Sequence, residues 1–248
     1  MMRMVQDIAT AFQFLTRLPL KRLPYDTSAL SRSAKFFPLV GLAIGGLGSV
    51  VYLGLVRHLP AAIAALLSLA FLVLATGGLH EDGLADVVDA FGGGWNREQI
   101  LAILKDSRIG TFGALAILLS VGLRLLLLAN LPLSRFAAYV ISGQVLCRWT
   151  ALPLGCTLPA ARESSGQGSR IARQISAGSL AIGTLITIAI VVCALRRAMW
   201  GPLLSTLTVT LFSGLYYWRR IGGVTGDCFG ATNQLAEIAV YLCGVWHA

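Results

Sequence analysis

Long apolar runs separated by short polar segments set the pattern of this chain. Windows of about 19 residues, enough to cross a hydrocarbon core of about 30 Å, fall at roughly 36–57, 61–79, 109–129, 136–154, 178–195, 200–218 and 229–246. The pattern predicts an all-α, polytopic integral membrane bundle with about seven transmembrane helices. Ahead of the first window, Met4, Val5, Ile8, Ala11, Phe12 and Leu15 recur at helical spacing. They predict an N-terminal amphipathic helix over 4–18 lying at the membrane interface, stopped by Pro19 and Pro24. The polar segments leave no room for a soluble domain. Residues 1–248 therefore read as one helical membrane domain, with 1–35 cytoplasmic or interfacial and 36–248 forming the bundle. Gly41 and Gly45 in the first window make a small-xxx-small pair suited to close helix contact.

Composition agrees with a bilayer setting. Of the 248 residues 56% are hydrophobic and 12% charged, and the mean hydropathy is +0.75, outside the range of soluble domains. Fourteen of the twenty Lys and Arg fall on the side of the N-terminus when the windows are threaded in order. The bias predicts a cytoplasmic N-terminus in the inner membrane. It also gathers the segment after the second window and the 155–177 and 219–228 loops on the cytoplasmic side. The net charge of +9 is accounted for by this topology and by attraction to anionic membrane lipid; no basic stretch carries the interleaved aromatics of a nucleic-acid binder. Cys147, Cys156, Cys193, Cys228 and Cys243 lack CxxC spacing and read as small buried hydrophobes. The stretch 163–169, rich in Ser, Gly and Gln, reads as a solvated linker.

Chemistry concentrates at residues 77–94, where four of the eleven carboxylates follow an apolar run. On a helix Asp82, Asp86 and Asp89, at i, i+4 and i+7, fall within roughly 60° of one another. Three aspartates on one face repel, and a hard divalent cation, Mg²⁺ or Mn²⁺, relieves that repulsion. Glu81 lies to the side and reads as an exposed variant position. Two further polar stretches flank spans on the same side: Lys105 to Gly113, and Gly222 to Ala231, the second containing Gly226 and Asp227 and leading to Glu237. Glycines there allow close backbone approach and free amides for phosphate, while Lys105 and Arg108, with Ser107 between them, suit phosphoryl oxygens. The site fits phosphoryl or phosphodiester transfer, with either a carboxylate or His80 taking a proton. Arg124, Arg148 and Glu237 sit inside apolar windows, where charges need partners.

The runs GGLHEDGLADVVDAFGG, KDSRIGTFGA and GGVTGDCFGATNQLAE, with FLTRLPL from Phe14 and FFPLVGLAIG from Phe36, resemble the cobalamin synthase family, the adenosylcobinamide-GDP ribazoletransferases. The resemblance covers nearly the whole chain. It implies a Mg²⁺-dependent membrane transferase that joins adenosylcobinamide-GDP to α-ribazole or its 5′-phosphate and releases GMP, beside other enzymes of cobalamin assembly. Carried onto this sequence, it makes Asp82, Asp86, Asp89 and Asp227 the metal ligands and His80, Asp82, Asp86 and Asp227 the catalytic candidates. Arg17, Lys105, Ser107, Arg108 and Gly226 become the substrate-binding candidates. The family typically has Leu where this chain has Glu81, an extra carboxylate that reads as a metal ligand or an exposed variant, the variant being the preferred reading. A looser likeness to CDP-alcohol phosphotransferases lacks their Ala-Arg step, since Asp86 follows Ala85. An ion-coupled transporter is a third reading, weakened because the carboxylates gather at one predicted membrane face rather than at the midplane.

Overall fold

The computed structural model describes residues 2–18, 27–161 and 175–246, and among them every regular element is helical apart from one isolated bridge. The linker expected at 163–169 and the Pro19 and Pro24 connector lie outside the described residues. In chain order the helices are α1 (Met2–Leu15), α2 (Thr27–Ser33), α3 (Phe37–Leu55), α4 (Ala61–Thr76), α5 (Leu79–Gly93), α6 (Arg97–Ile103), α7 (Thr111–Asn130), α8 (Phe136–Trp149), α9 (Ala151–Thr157), α10 (Ala177–Leu195), α11 (Trp200–Ile221) and α12 (Gly226–Trp246).

Three described stretches are long and apolar enough to cross a membrane: Ala29–Leu55, Thr111–Asn130 and Ala177–Ile221. A fourth is added if the bent pair α4 and α5 is one span. Length and composition together single out three or four stretches among the described residues where hydropathy gave seven windows, and the reasons are local. The 136–154 window breaks into α8 and α9 at Thr150, giving helices of 14 and 7 residues. The last window lies in α12, which carries buried Asn233, Gln234 and Glu237. The windows at 178–195 and 200–218 belong to one stretch interrupted by a 3-10 turn at Arg196–Met199. Thr187 and Leu207, about equally far from that turn, line one cavity of about 210 Å³ against Trp149, so the chain turns back there and the single stretch holds two helices, α10 and α11, of 19 and 22 residues, one for each window. Outward-facing Leu185, Leu204, Leu211 and Phe212 leave this hairpin clothed in exposed apolar side chains, which suits lipid and not water.

The N-terminal helix ends at Leu15, short of the 18 expected, and its apolar positions divide. Ala11 and Leu15 are buried, whereas Met4 and Val5 are exposed. Its inward side also carries Asp7, held by Lys35 at 3.3 Å and Arg32 at 3.6 Å, so α1 is tied to the start of the first span. Gly41 and Gly45 behave as their spacing predicts. A Cβ at Gly41 would overlap the Gln144 carbonyl, and one at Gly45 would lie 2.9 Å from the Ile141 Cα, so α3 packs backbone to backbone on α8. Of the five cysteines, all free, Cys147 and Cys228 are buried as expected and Cys193 is exposed.

The bend between α4 and α5 is what positions the candidate site. Gly77 and Gly78 take φ of +68° and +70°, a left-handed conformation that side-chain-bearing residues seldom adopt. The chain turns by 85° there. A new helix starts at once, with Glu81 and Asp82 in its first turn, where carboxylates oppose the positive end of the helix dipole.

Candidate functional site

Two helices meet at α5 without side chains between them. Gly83 faces α12 so closely that a Cβ there would lie 2.9 Å from the Asp227 carbonyl oxygen and 3.2 Å from the Gly230 Cα. The crossing brings the third polar stretch onto the first. Asp227, in the first turn of α12, stands against the helix that carries Asp82 and Asp86. Its Oδ2 accepts a hydrogen bond from Thr225 Oγ1 at 3.1 Å. Asp82 is exposed, and Asp86 and Asp227 are half-buried. Gly226 opens α12 immediately before Asp227.

Asp89 has a different occupation. Its Oδ2 accepts the Gly110 amide at 2.7 Å and its Oδ1 accepts the Gly113 amide at 2.8 Å. Asp89 thus caps the N-terminus of α7 from another helix, satisfying amides that have no partner within the helix. That pins the second polar stretch to the first, with one amide on each carboxylate oxygen.

The basic candidates are at the surface. Arg108 donates from Nε and Nη2 to Asp106, the shortest contact being 2.6 Å. Those hydrogen bonds lower the Asp106 carboxyl to about 2. An exposed pair of this kind contributes little to stability. Lys105 and Ser107 are exposed beside it. At the other end, the Arg17 amide donates to the Ala75 carbonyl at 2.8 Å and its side chain crosses Gly77, with Cγ 2.7 Å from where a Cβ would be. The exposed Arg17 therefore stands at the bend where α5 begins.

Several residues around the site have roles that the sequence reading missed. Glu81 is no exposed variant: its Oε1 accepts from Arg124 Nη2 at 2.8 Å and from Gln234 Nε2 at 3.2 Å. Arg124 Nη1 reaches Glu237 Oε2 at 3.5 Å. Arg148, also buried, donates to both the Gln144 carbonyl and its side-chain oxygen, at 2.9 and 2.7 Å. The charges in the apolar windows were the available signal, because intramembrane charges pair. His80 is buried at the contact with α12 near Gly230, away from the exposed carboxylate face. Arg97 Nε donates to the Ile221 carbonyl at 3.0 Å and its Nη2 to the Ala161 carbonyl at 2.7 Å. Arg220 Nη2 donates to the Gly94 carbonyl at 2.8 Å. Arg97 thus caps the end of α11, the helix of Arg220, and Arg220 reaches the end of α5, locking the loop before Asp227 to the end of α5.

Among the described residues no three His, Cys, Asp or Glu side chains are gathered as a ready-made metal cluster. Mg²⁺ needs less than that. It keeps several waters and is commonly held by one or two carboxylates together with substrate phosphates, a donor set that Asp82, Asp86 and Asp227 match in chemistry.

The sequence profile of the family described as cobalamin-5-phosphate synthase matches residues 7–245. The chain belongs to that family. Its relatives include proteins named adenosylcobinamide-GDP ribazoletransferase. The one from Leptospira interrogans is 40% identical, with 94% of this chain and 92% of the relative covered. One from a Polaromonas species is 38% identical, with 96% and 95% covered, and one from Shewanella woodyi is 36% identical, with 94% and 92% covered. No solved structure matches. Within the cobalamin-5-phosphate synthase family, the packing described here therefore brings all three polar motifs of this member to one end of its bundle.

Proposed function

We propose that this protein is a membrane transferase of cobalamin nucleotide-loop assembly, joining adenosylcobinamide-GDP to α-ribazole or α-ribazole 5′-phosphate. An oxygen of the ribazole attacks the phosphorus bonded to the corrinoid side chain. The bond between that phosphorus and the bridging diphosphate oxygen breaks, and GMP leaves. The attacking oxygen forms the new phosphodiester, and its proton passes to a carboxylate of the Asp82, Asp86 and Asp227 group. The observation that carries the reading is the crossing of α5 and α12 at Gly83 and Gly230, which sets Asp227 beside the acidic helix.

Asp82, Asp86 and Asp227 would hold Mg²⁺, which neutralises diphosphate charge when bound. Asp89 is left to cap α7. Arg17, Lys105 and Arg108 stand at the two ends of the acidic helix as partners for phosphoryl oxygens, and Ser107 and the Gly226 amide are further donors to them. His80, buried against α12, supports the packing and leaves acid-base work to the aspartates. The proposed topology follows the positive residues of the motif-bearing segments, Lys35, Arg97, Lys105, Arg108, Arg219 and Arg220, whose bias supports a site on the cytoplasmic side of the inner membrane.

The test is incubation of purified protein with adenosylcobinamide-GDP, α-ribazole 5′-phosphate and Mg²⁺, scoring GMP and the joined corrinoid. A folded, monodisperse sample that forms neither product overturns the reading, and release of CMP from a CDP-alcohol instead would move the protein to the phospholipid-type transferases.

A further inference from the structure

The three polar motifs ride on α5, α7 and α12, and a single buried guanidinium grips all three helices. Arg124, on α7 and 1% exposed, donates from Nη2 to Glu81 on α5 at 2.8 Å and from Nη1 to Glu237 on α12 at 3.5 Å. Gln234 closes the ring: its Nε2 donates to Glu81 at 3.2 Å and its Oε1 accepts from Ser120 on α7 at 3.1 Å. Along α12, Asp227, Gly230, Gln234 and Glu237 recur at i, i+3, i+7 and i+10, so candidate ligand, crossing point and ion pair lie on one stripe. On α5, Glu81 adjoins Asp82 in sequence.

The glycine crossing sets how near α5 and α12 come, and Leu84, Val87 and Phe91 pack with Phe229 and Ala231 beside it, but apolar contacts are non-directional and hold rotation and register loosely. The charged fork supplies the directional hold. We propose that Arg124 is a positioning residue for the transfer reaction: by gripping Glu81 and Glu237 together it fixes the rotation of α5 against α12, and with it the register of Asp82 and Asp86 against Asp227. Without the guanidinium, two buried carboxylates would face each other across the contact. Glu81 Oε2 and Glu237 Oε1 are already buried with no hydrogen-bond partner among the described residues, and Tyr241 and Arg148 beside Glu237 offset only part of the repulsion on the α12 side. Lysine is no equivalent, because a compact ammonium lacks the planar fork that spans two acceptors.

The inference rests on the assignment of Asp82, Asp86 and Asp227 made above, and the test separates the two. Full-length Arg124→Lys, and a charge-free Glu81→Leu/Arg124→Met/Glu237→Met variant, are compared with the unaltered protein. The readouts are size-exclusion profile, kcat and KM, and Mn²⁺ binding by electron paramagnetic resonance. Apolar replacement of a whole buried ionic group is commonly tolerated by the fold, so the triple variant is expected to stay monodisperse. Its kcat falls by about 100-fold, the cost typical of a misplaced reacting group. KM changes by only a few-fold, and Mn²⁺ binding weakens. Arg124→Lys gives an intermediate kcat. Wild-type kcat and Mn²⁺ affinity in the triple variant overturn the inference, and if that variant does not fold, wild-type values in Arg124→Lys do so. Full activity in Asp82→Asn and Asp86→Asn would instead bring down the carboxylate assignment, whatever Arg124 does.

Discussion

Gly83 and Gly230 pass each other with no side chain between them: a Cβ built on either would lie 3.2 Å from the other's Cα. This contact joins the acidic helix to the helix that begins with Asp227. Substituting Gly83 by Ala puts a methyl 2.9 Å from the Asp227 carbonyl, which α12 can relieve only by moving away. Overpacking of this kind costs about 1–3 kcal/mol. Because the displaced group is Asp227, turnover is expected to drop by about 100-fold, more than the loss of stability alone would give. Thermal unfolding and kcat measured on the same detergent-solubilised sample check this, and an alanine variant with unchanged kcat would argue against the crossing as the organiser of the site.

Asp82→Asn and Asp86→Asn remove a charge from side chains that face outward or lie half-buried. Both proteins are expected to insert and unfold like the parent while losing turnover beyond detection. Product formation at a tenth of the normal rate or better in either variant would remove that residue from the ligand set.

Asp89 separates capping from metal binding. Asp89→Ala leaves the Gly110 and Gly113 amides without their acceptor and is expected to cost about 0.5–2 kcal/mol, as loss of a helix cap does. The Mg²⁺ concentration that gives half-maximal activity should stay where it was. A marked rise in that concentration would return Asp89 to the metal.

Arg108 is held by Asp106 at the surface. Arg108→Gln is expected to raise KM for the diphosphate substrate by roughly 10-fold or more, the size of a lost charged hydrogen bond, with little change in kcat. The Asp106 carboxyl, lowered to about 2 from 3.8 by the hydrogen bonds from Arg108, gives the pair its pH dependence. A depressed carboxyl adds stability that is present above 3.8 and lost as pH falls through about 2. Between pH 5 and 8 the pair is therefore constant, and the KM effect of Arg108→Gln should be flat across that range. A KM ratio that changes with pH in that interval would point to another group.

The helical, membrane-embedded character of the chain was legible from its apolar runs, and the Gly41 and Gly45 spacing announced the contact of α3 with α8. Hydropathy does not see breaks, so its seven windows outnumber the three or four stretches that are long and apolar enough by themselves. Thr150 divides α8 from α9, and the paired glycines at 77 and 78 turn a continuous apolar-to-acidic run through a sharp bend. The motifs themselves were readable. What they do to one another was not, because Asp89 finds Gly110 and Gly113, and Glu81 finds Arg124 and Gln234, across distances in sequence that no local period encodes. Glu81 shows the difficulty best: helical geometry put it off the aspartate face, and only the packing of α7 shows that the side it occupies is interior.

The 85° turn at Gly77 and Gly78 has a consequence for how reactants arrive. Because the turned α5 runs back along α7, from Glu81 beside mid-helix Arg124 to Asp89 at the start of α7, the step from Asp89 to Asp82, about 10 Å, leads from the motif-bearing end of the bundle toward its middle, and a reactant enters it end-on from that face.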